Sequence, residues 1–267
     1  MKAALLQLNS SDDPVANLKQ TRALIAQASG KGAQFVATPE VTNCVSQDRQ
    51  HQKRVLQHEE HDITLAGLRA AAIENDVWIS IGSLALKTND ADGRFANRSF
   101  LIDPAGQIVA SYDKIHMFDV TVSDTEMYRE SAGYRPGTKA ALTDTPFAKV
   151  GLSICYDVRV AYLYRALAQA GAEVLLVPSA FSPVTGAAHW EPLLRARAIE
   201  TGCYVLAAAQ TGTHDAQVGR QRRTYGHSMA VSPWGELLLD MGMEPGVGLV
   251  DLDLRTVAES RRRIAAL

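Results

Sequence analysis

The chain has little of the material from which several common protein classes are built. Its 267 residues include only three cysteines, Cys44, Cys155 and Cys203. So sparse and odd a set makes no disulfide framework and fits a reducing compartment. The spacing also excludes any CxxC zinc or redox pair. No apolar run approaches the ~20 residues of a membrane span. The N-terminal run Ala3–Leu8, broken by Gln7 and preceded by one lysine, is too short for a secretory core. A formal charge of −2 gives no basis for nucleic acid or an anionic membrane as partner. No repeat, low-complexity linker or composition shift divides the sequence. The expectation is a soluble cytoplasmic protein, one domain over 1–267, long enough to bury roughly 70–75% of its unfolded surface without disulfide or metal.

What is present is an alternation of short apolar runs with helical patterns. Ala3–Leu8 reads as a strand, and Pro14–Ala28 as an amphipathic helix behind cap signals at Ser10 to Asp13. Gln34–Thr38 is a strand stopped by Pro39, Asp62–Asn75 a helix and Trp78–Leu86 a strand. Ser99–Asp103 and Gln107–Tyr112 flank Pro-Ala-Gly as a hairpin, and 118–146 reads as irregular. Strands Lys149–Ile154, Glu173–Val177 and Tyr204–Ala209 are joined through helices Val160–Ala170 and His189–Glu200. Two strands flank Ser-Pro-Trp-Gly at 232–235, and Asp253–Arg263 closes the chain as a charged helix. Near-apolar strands joined through helices imply a sheet buried on both faces or packed on a second sheet. The hairpins make the sheet mixed, and the expected class is α/β.

Cys155 ends the strand KVGLSI just before a helix, where active sites gather in α/β folds. Free amides and the helix dipole there are expected to lower its pKa. A lone buried cysteine is nevertheless more often packing, and Cys44 and Cys203 keep that reading. Glu40 follows the strand QFVATP directly, and partial burial is expected to raise its pKa toward that of a useful base. Lys114 ends QIVASYD, placed to offer a fixed charge to a developing oxyanion. Taken singly, each is an ordinary surface residue, and Glu130 in YRES would earn no mention. His116, His189 and His227 sit at element edges; with no Asp or Asn evidently placed to orient them, they read as structural.

Together these residues form a pattern. TPE at 38–40, DKIHMFD at 113–119, YRES at 128–131, GLSICYDVR at 151–159 and GHS at 226–228 resemble the nitrilase superfamily of carbon–nitrogen hydrolases. The likeness runs from about Ala3 to Asp251. Within the superfamily, 178–212 and YGHSMAVSPWGE at 225–236 resemble the Nit amidases, in the branch that acts on deaminated glutathione. Val160-Ala161 departs from the Phe and Pro or Ala that many Nit relatives carry after the arginine, which leaves the neighbouring pocket shape open.

The resemblance implies a single-domain α-β-β-α four-layer sandwich, paired into a homodimer or higher homo-oligomer. It implies a Glu-Lys-Cys amidase with Cys155 as nucleophile, Glu40 as base and acid, and Lys114 with the Tyr156 amide at the oxyanion. Glu130 would hold Lys114 in place. Arg159, Phe181 and Thr185 would line the substrate site, Arg159 one helical turn beyond Cys155 to grip a carboxylate. A salt bridge from Arg159 to Asp157 or a surface acid is the plainer alternative. No metal or organic cofactor is implied, and the partner is a small amide hydrolysed to acid and ammonia. Other superfamily activities (ω-amidase of α-ketoglutaramate or α-ketosuccinamate, carbamoylase, nitrilase) and a catalytically idle scaffold remain the alternatives.

Overall fold

The computed structural model describes residues 1–123 and 126–267, with side chains outside 122–126. Strand β1 (Lys2–Gln7) leads to helix α1 (Pro14–Gly30), whose start is fixed by Asp13 accepting from the amides of Val15 and Ala16. Strand β2 (Phe35–Ala37), helices α2 (Arg49–Val55) and α3 (Ile63–Asn75), and strands β3 (Trp78–Leu86), β4 (Ala96–Ile102) and β5 (Ile108–Asp113) follow. A ribbon pairs β6 (Asp119–Ser123) with β7 (Glu126–Arg129). Next come β8 (Ala141–Asp144), β9 (Lys149–Leu152), α4 (Ala161–Gln169), β10 (Val174–Leu176), α5 (Pro183–Thr201) and β11 (Tyr204–Ala207). A second ribbon joins β12 (Thr211–Thr213) to β13 (Arg223–Tyr225), and β14 (Met229–Val231), β15 (Leu237–Asp240), β16 (Gly246–Asp251) and α6 (Arg255–Arg263) complete the chain.

Two six-stranded mixed sheets form, ordered β16-β1-β2-β3-β4-β5 and β15-β14-β11-β10-β9-β8. Each has three parallel strands at its centre and antiparallel strands outside them. The alternation of side chains along β1 shows how they stack. Ala3 and Leu5 join Val174 and Leu176 in the core between the sheets, while Ala4 and Leu6 join Ile25 and Leu68 beneath α1 and α3. Leu163 of α4 and Trp190 of α5 pack with the second sheet. The result is the α-β-β-α sandwich. No helix among the described residues is long and apolar enough to cross a membrane.

The structure departs from the sequence pattern where apolar periodicity is weak. α2, RQHQKRV, has none, and is held by the Asp48 cap and by burial of His51 and Gln52. α5 begins at Pro183, six residues before the expected start, because proline's fixed φ and missing N–H suit the first helical position. The stretch read as irregular contains β6, β7 and β8; residues 124 and 125 of it lie outside the described residues.

Candidate active site

The parallel strands of both sheets end on one side of the sandwich, and the loops there converge on a cavity of about 330 Å³. Glu40 reaches it by crossing β3 at Gly82. A Cβ at residue 82 would fall 2.0 Å from the Thr38 carbonyl oxygen, so glycine is required for that approach. The Gln210 side-chain amide then donates to the Glu40 carbonyl at 3.1 Å and fixes the backbone.

Lys114, just past β5, is 2% exposed. Its Nζ donates to Glu40 Oε1 at 2.8 Å and to both oxygens of Glu130 at 2.9 Å. Asn97 of β4 donates to Glu40 Oε1 at 2.9 Å and to Glu130 Oε1 at 3.4 Å. The Ala180 amide donates to the other Glu40 oxygen at 2.9 Å, and the Phe118 amide to Glu130 Oε2 at 2.6 Å. Every oxygen of the two carboxylates is thereby occupied by a donor, which makes a buried charge tolerable.

Cys155 lies beyond the end of β9, with φ of 51°, a region that β-carbon-bearing residues seldom adopt. The turn is over-determined, as such strain requires. The Cys155 amide donates to the Pro178 carbonyl at 2.8 Å. Fully buried Asp157 accepts from the Ile154 amide at 2.9 Å and the Tyr112 hydroxyl at 2.8 Å through Oδ2. Its Oδ1 accepts from the His116 amide at 3.0 Å and lies 2.6 Å from His116 Nδ1.

The electrostatics differ from the sequence expectation in two respects. Burial pushes the Glu40 carboxyl up, but Lys114, by charge and hydrogen bond, and then Arg222 outweigh it. The group lies below, not above, its ordinary value. For Cys155, burial and then the Glu40 charge push the thiol up to about 12, against a smaller pull from Lys114. The anion-stabilising position at the head of a helical turn does not overcome desolvation. Burial alone would lower Lys114, but Glu130 and Glu40 hold it well above its ordinary value. These shifts favour an ionised Glu40, a charged Lys114 and a neutral Cys155 thiol.

Tyr156, Phe181 and Thr185 line the cavity beside Glu40, Lys114, Glu130 and Cys155. Arg159 is not on its wall. Its guanidinium lies over the rings of Tyr156 and Phe181, at 5.7 and 5.2 Å, and 3.3 Å from His189 Nδ1. The turn after Cys155 is a tight 3-10 helix, Cys155–Arg159, so four residues carry the side chain past the α-helical position that would face Cys155. Asp157, taken as the alternative partner of Arg159, instead orients His116, which the sequence left without an orienting acid. His116 Nε2 continues to the Tyr162 hydroxyl at 3.2 Å, and His227 Nδ1 is 3.0 Å from Asp240; neither lines the cavity.

Four further residues belong to the arrangement: Asn97, Asp157, Ala180 and Arg222. Asn97 is a polar residue on an otherwise buried strand, a visible signal; Ala180 acts through its backbone and leaves none. Cys44 also lines the cavity, its thiol raised to about 12 by burial and then by Asp12. Among the described residues no group of three His, Cys, Asp or Glu is placed to hold a metal ion.

The sequence profile described as carbon-nitrogen hydrolase matches residues 2–262. The chain is 42% identical over 236 residues to deaminated glutathione amidase of Yersinia enterocolitica, covering 88% of this chain and 80% of that protein. It is 37% identical over 264 residues to the deaminated glutathione amidase of Homo sapiens, covering 98% and 79%. Among solved structures, the C. elegans NitFhit protein superposes with a TM-score of 0.89 at 34% identity, over 99% of this chain; the chain spans 63% of that larger protein. The amidase from Nesterenkonia sp., solved with acrylamide added at its active-site cysteine, superposes with a TM-score of 0.80 at 27% identity, over 99% and 98%.

Proposed function

The chain belongs to the carbon–nitrogen hydrolase family, and we propose that it is a thioester-forming amidase whose substrate is deaminated glutathione. The observation that carries the chemistry is Lys114 clamped between Glu40 and Glu130 beside a buried Cys155 in one cavity. The similarity to relatives named for deaminated glutathione supports the substrate.

In this reading the ionised Glu40 takes the thiol proton as Cys155 Sγ attacks the amide carbon. A thiol pushed up to about 12 by burial and the Glu40 charge rests protonated, so its attack depends on a base to receive the proton. The carbonyl oxygen becomes an oxyanion facing Lys114 Nζ and the Tyr156 amide. As the C–N bond breaks, Glu40 returns the proton to the leaving nitrogen and a thioester remains. Glu40 next deprotonates a water, which attacks the thioester; the C–S bond breaks and Cys155 recovers its proton. Glu130 keeps Lys114 charged and in place throughout. Phe181 and Thr185 contact the acyl part, and Arg159 supports that wall through the rings of Tyr156 and Phe181.

In glutathione the γ-amide nitrogen belongs to cysteine, so the leaving group from the deaminated form is the cysteinyl-glycine amine. Ammonia, expected from the sequence, is released only from primary amides. A substrate panel tests the assignment: deaminated glutathione, α-ketoglutaramate, N-carbamoyl amino acids and simple nitriles, each with wild type and Cys155→Ala. Preference for deaminated glutathione, lost in Cys155→Ala, is the expected result. Turnover of nitriles alone, or an active Cys155→Ala, overturns it.

Two smaller proposals accompany this one. Three buried, unpaired cysteines fit a reducing cytoplasm, which localisation of a tagged chain would check. The exposed, adjoining apolar side chains of Ile199 and Trp234 fit a face shared with a second copy. A monomer by sedimentation would rule that out.

A further inference from the structure

We propose that Arg222, together with Arg49, binds a carboxylate carried by the leaving group of the amide. This rests on the amidase reading above and adds to it the recognition of the departing half of the substrate.

The side of the cavity follows from the proton. Glu40 is the group that protonates the leaving nitrogen, so the leaving group lies along the wall on which Glu40 stands. Arg222 is on that wall. Its Nη2 donates to the Ala180 carbonyl at 2.6 Å, and the amide of the same residue donates to Glu40 Oε2 at 2.9 Å. One residue therefore separates the guanidinium from the base. Arg49 is reached along the segment that follows Glu40, at the start of α2, and lines the same cavity. Arg49 and Arg222 thus both line the cavity that holds Glu40.

Neither arginine is a loose surface charge. Arg49 lies 5.2 Å over the Phe95 ring and 5.5 Å over the Tyr134 ring, and donates to the Gly133 carbonyl at 3.0 Å. A Cβ at residue 133 would fall 1.1 Å from Arg49 Nη2, so glycine there makes room for the guanidinium. The protein elsewhere pairs half-buried arginines with acids: Arg98 with Asp113 and Glu59, Arg135 with Asp90 and Asp113. Among the described residues, Arg49 and Arg222 bond only to carbonyl oxygens. Two fixed guanidinia lining one cavity, with no ion pair to a carboxylate among the described residues, make a site for a carboxylate from outside. Ser182 gives an independent sign of a ligand. It lines the cavity, is 4% exposed, and its Oγ has no hydrogen-bond partner. A buried hydroxyl left so is costly unless a ligand satisfies it.

The test uses two substrates that differ in one charge. Both are the γ-amide of 2-oxoglutarate with cysteinyl-glycine; one ends in the glycine carboxylate and the other in the glycine carboxamide. In Arg222→Gln, kcat/KM for the acid-ended substrate is expected to fall about 10- to 100-fold further than for the amide-ended one. The loss falls mainly in KM, Arg222→Lys recovers part of it, and Arg49→Gln shows the same selectivity at smaller size. The comparison is a ratio within one preparation, so partial misfolding does not imitate it. An equal loss on both substrates reduces the arginines to structural roles and overturns the inference, as does an unchanged ratio. A wild type that cleaves neither substrate instead overturns the amidase reading on which the inference rests.

Discussion

Lys114 Nζ lies 2.8 Å from Glu40 Oε1, and the two side chains are only 2% and 5% exposed. A buried pair of this kind is costly to break, because the surviving charge stays in the interior without its counter-ion. Lys114→Met strands the Glu40 and Glu130 carboxylates together and is expected to cost about 3–5 kcal/mol of stability. It should also lower kcat about 10²–10³-fold through loss of the oxyanion donor. Adding Glu40→Gln to Lys114→Met should restore part of the stability and none of the activity. Thermal melts beside steady-state rates check both, and a double variant no more stable than the single would contradict the account.

The second prediction concerns the thiol. After burial, the negative Glu40 is the main influence holding Cys155 up at about 12. Glu40→Gln removes that charge and leaves Lys114 in place, so the thiol becomes more acidic while turnover collapses. The pH dependence of thiolate ultraviolet absorbance, with Cys155→Ala as blank, reads the shift. A thiol no more acidic in Glu40→Gln would show that Glu40 does not set its protonation.

Much of this site was legible in the sequence because its charged residues follow strand ends, where apolar runs stop abruptly. Glu40, Lys114 and Cys155 each stand directly after such a run, and the structure gathers them with Glu130. Their protonation was not legible. Both Cys155 and Glu40 shift against the sequence expectation, because the outcome depends on how completely each is buried and on charges brought from distant segments. Arg159 was misplaced on the wall because an α-helical period was assumed where the chain makes a 3-10 turn. Arg222, in the basic run QRRT, follows no strand end and carries no such signal; only the fold sets it one residue from Glu40.

The turn that presents Cys155 depends on Asp157. Its two oxygens gather Tyr112, Ile154 and His116 from three segments while the residue itself is fully buried. Asp157→Ala leaves four donor groups without this acceptor, and the φ of 51° at Cys155 loses one of its restraints. A stability loss of about 2–4 kcal/mol is expected, with a lower rate of Cys155 acylation in single-turnover measurements. Asp157→Asn retains one acceptor oxygen and should fall between. A wild-type acylation rate in Asp157→Ala would show that the turn holds without it.

The last prediction is a pH dependence that arises outside the catalytic residues. His214 is 1% exposed; its Nδ1 lies 2.8 Å from the Ser10 carbonyl and its Nε2 2.7 Å from the Thr224 hydroxyl. The carbonyl requires a proton on Nδ1, which leaves Nε2 to accept from Thr224, so the pocket fits the neutral ring. Burial lowers its pKa from 6.5 to about 4, against a raising contribution from the Ser10 bond. As the pH falls below 6.5 the unfolded chain takes up this proton first, so unfolding becomes easier. The stability from His214 is fully present above 6.5 and is lost as the pH falls toward 4, an interval worth about 3 kcal/mol at most. Glu40, held below its ordinary 4.5, adds a further loss only below that value. Denaturant unfolding between about pH 7 and about pH 4.5 should therefore show a falling stability that His214→Gln largely flattens. An equal slope in that variant would assign the acid sensitivity to other groups.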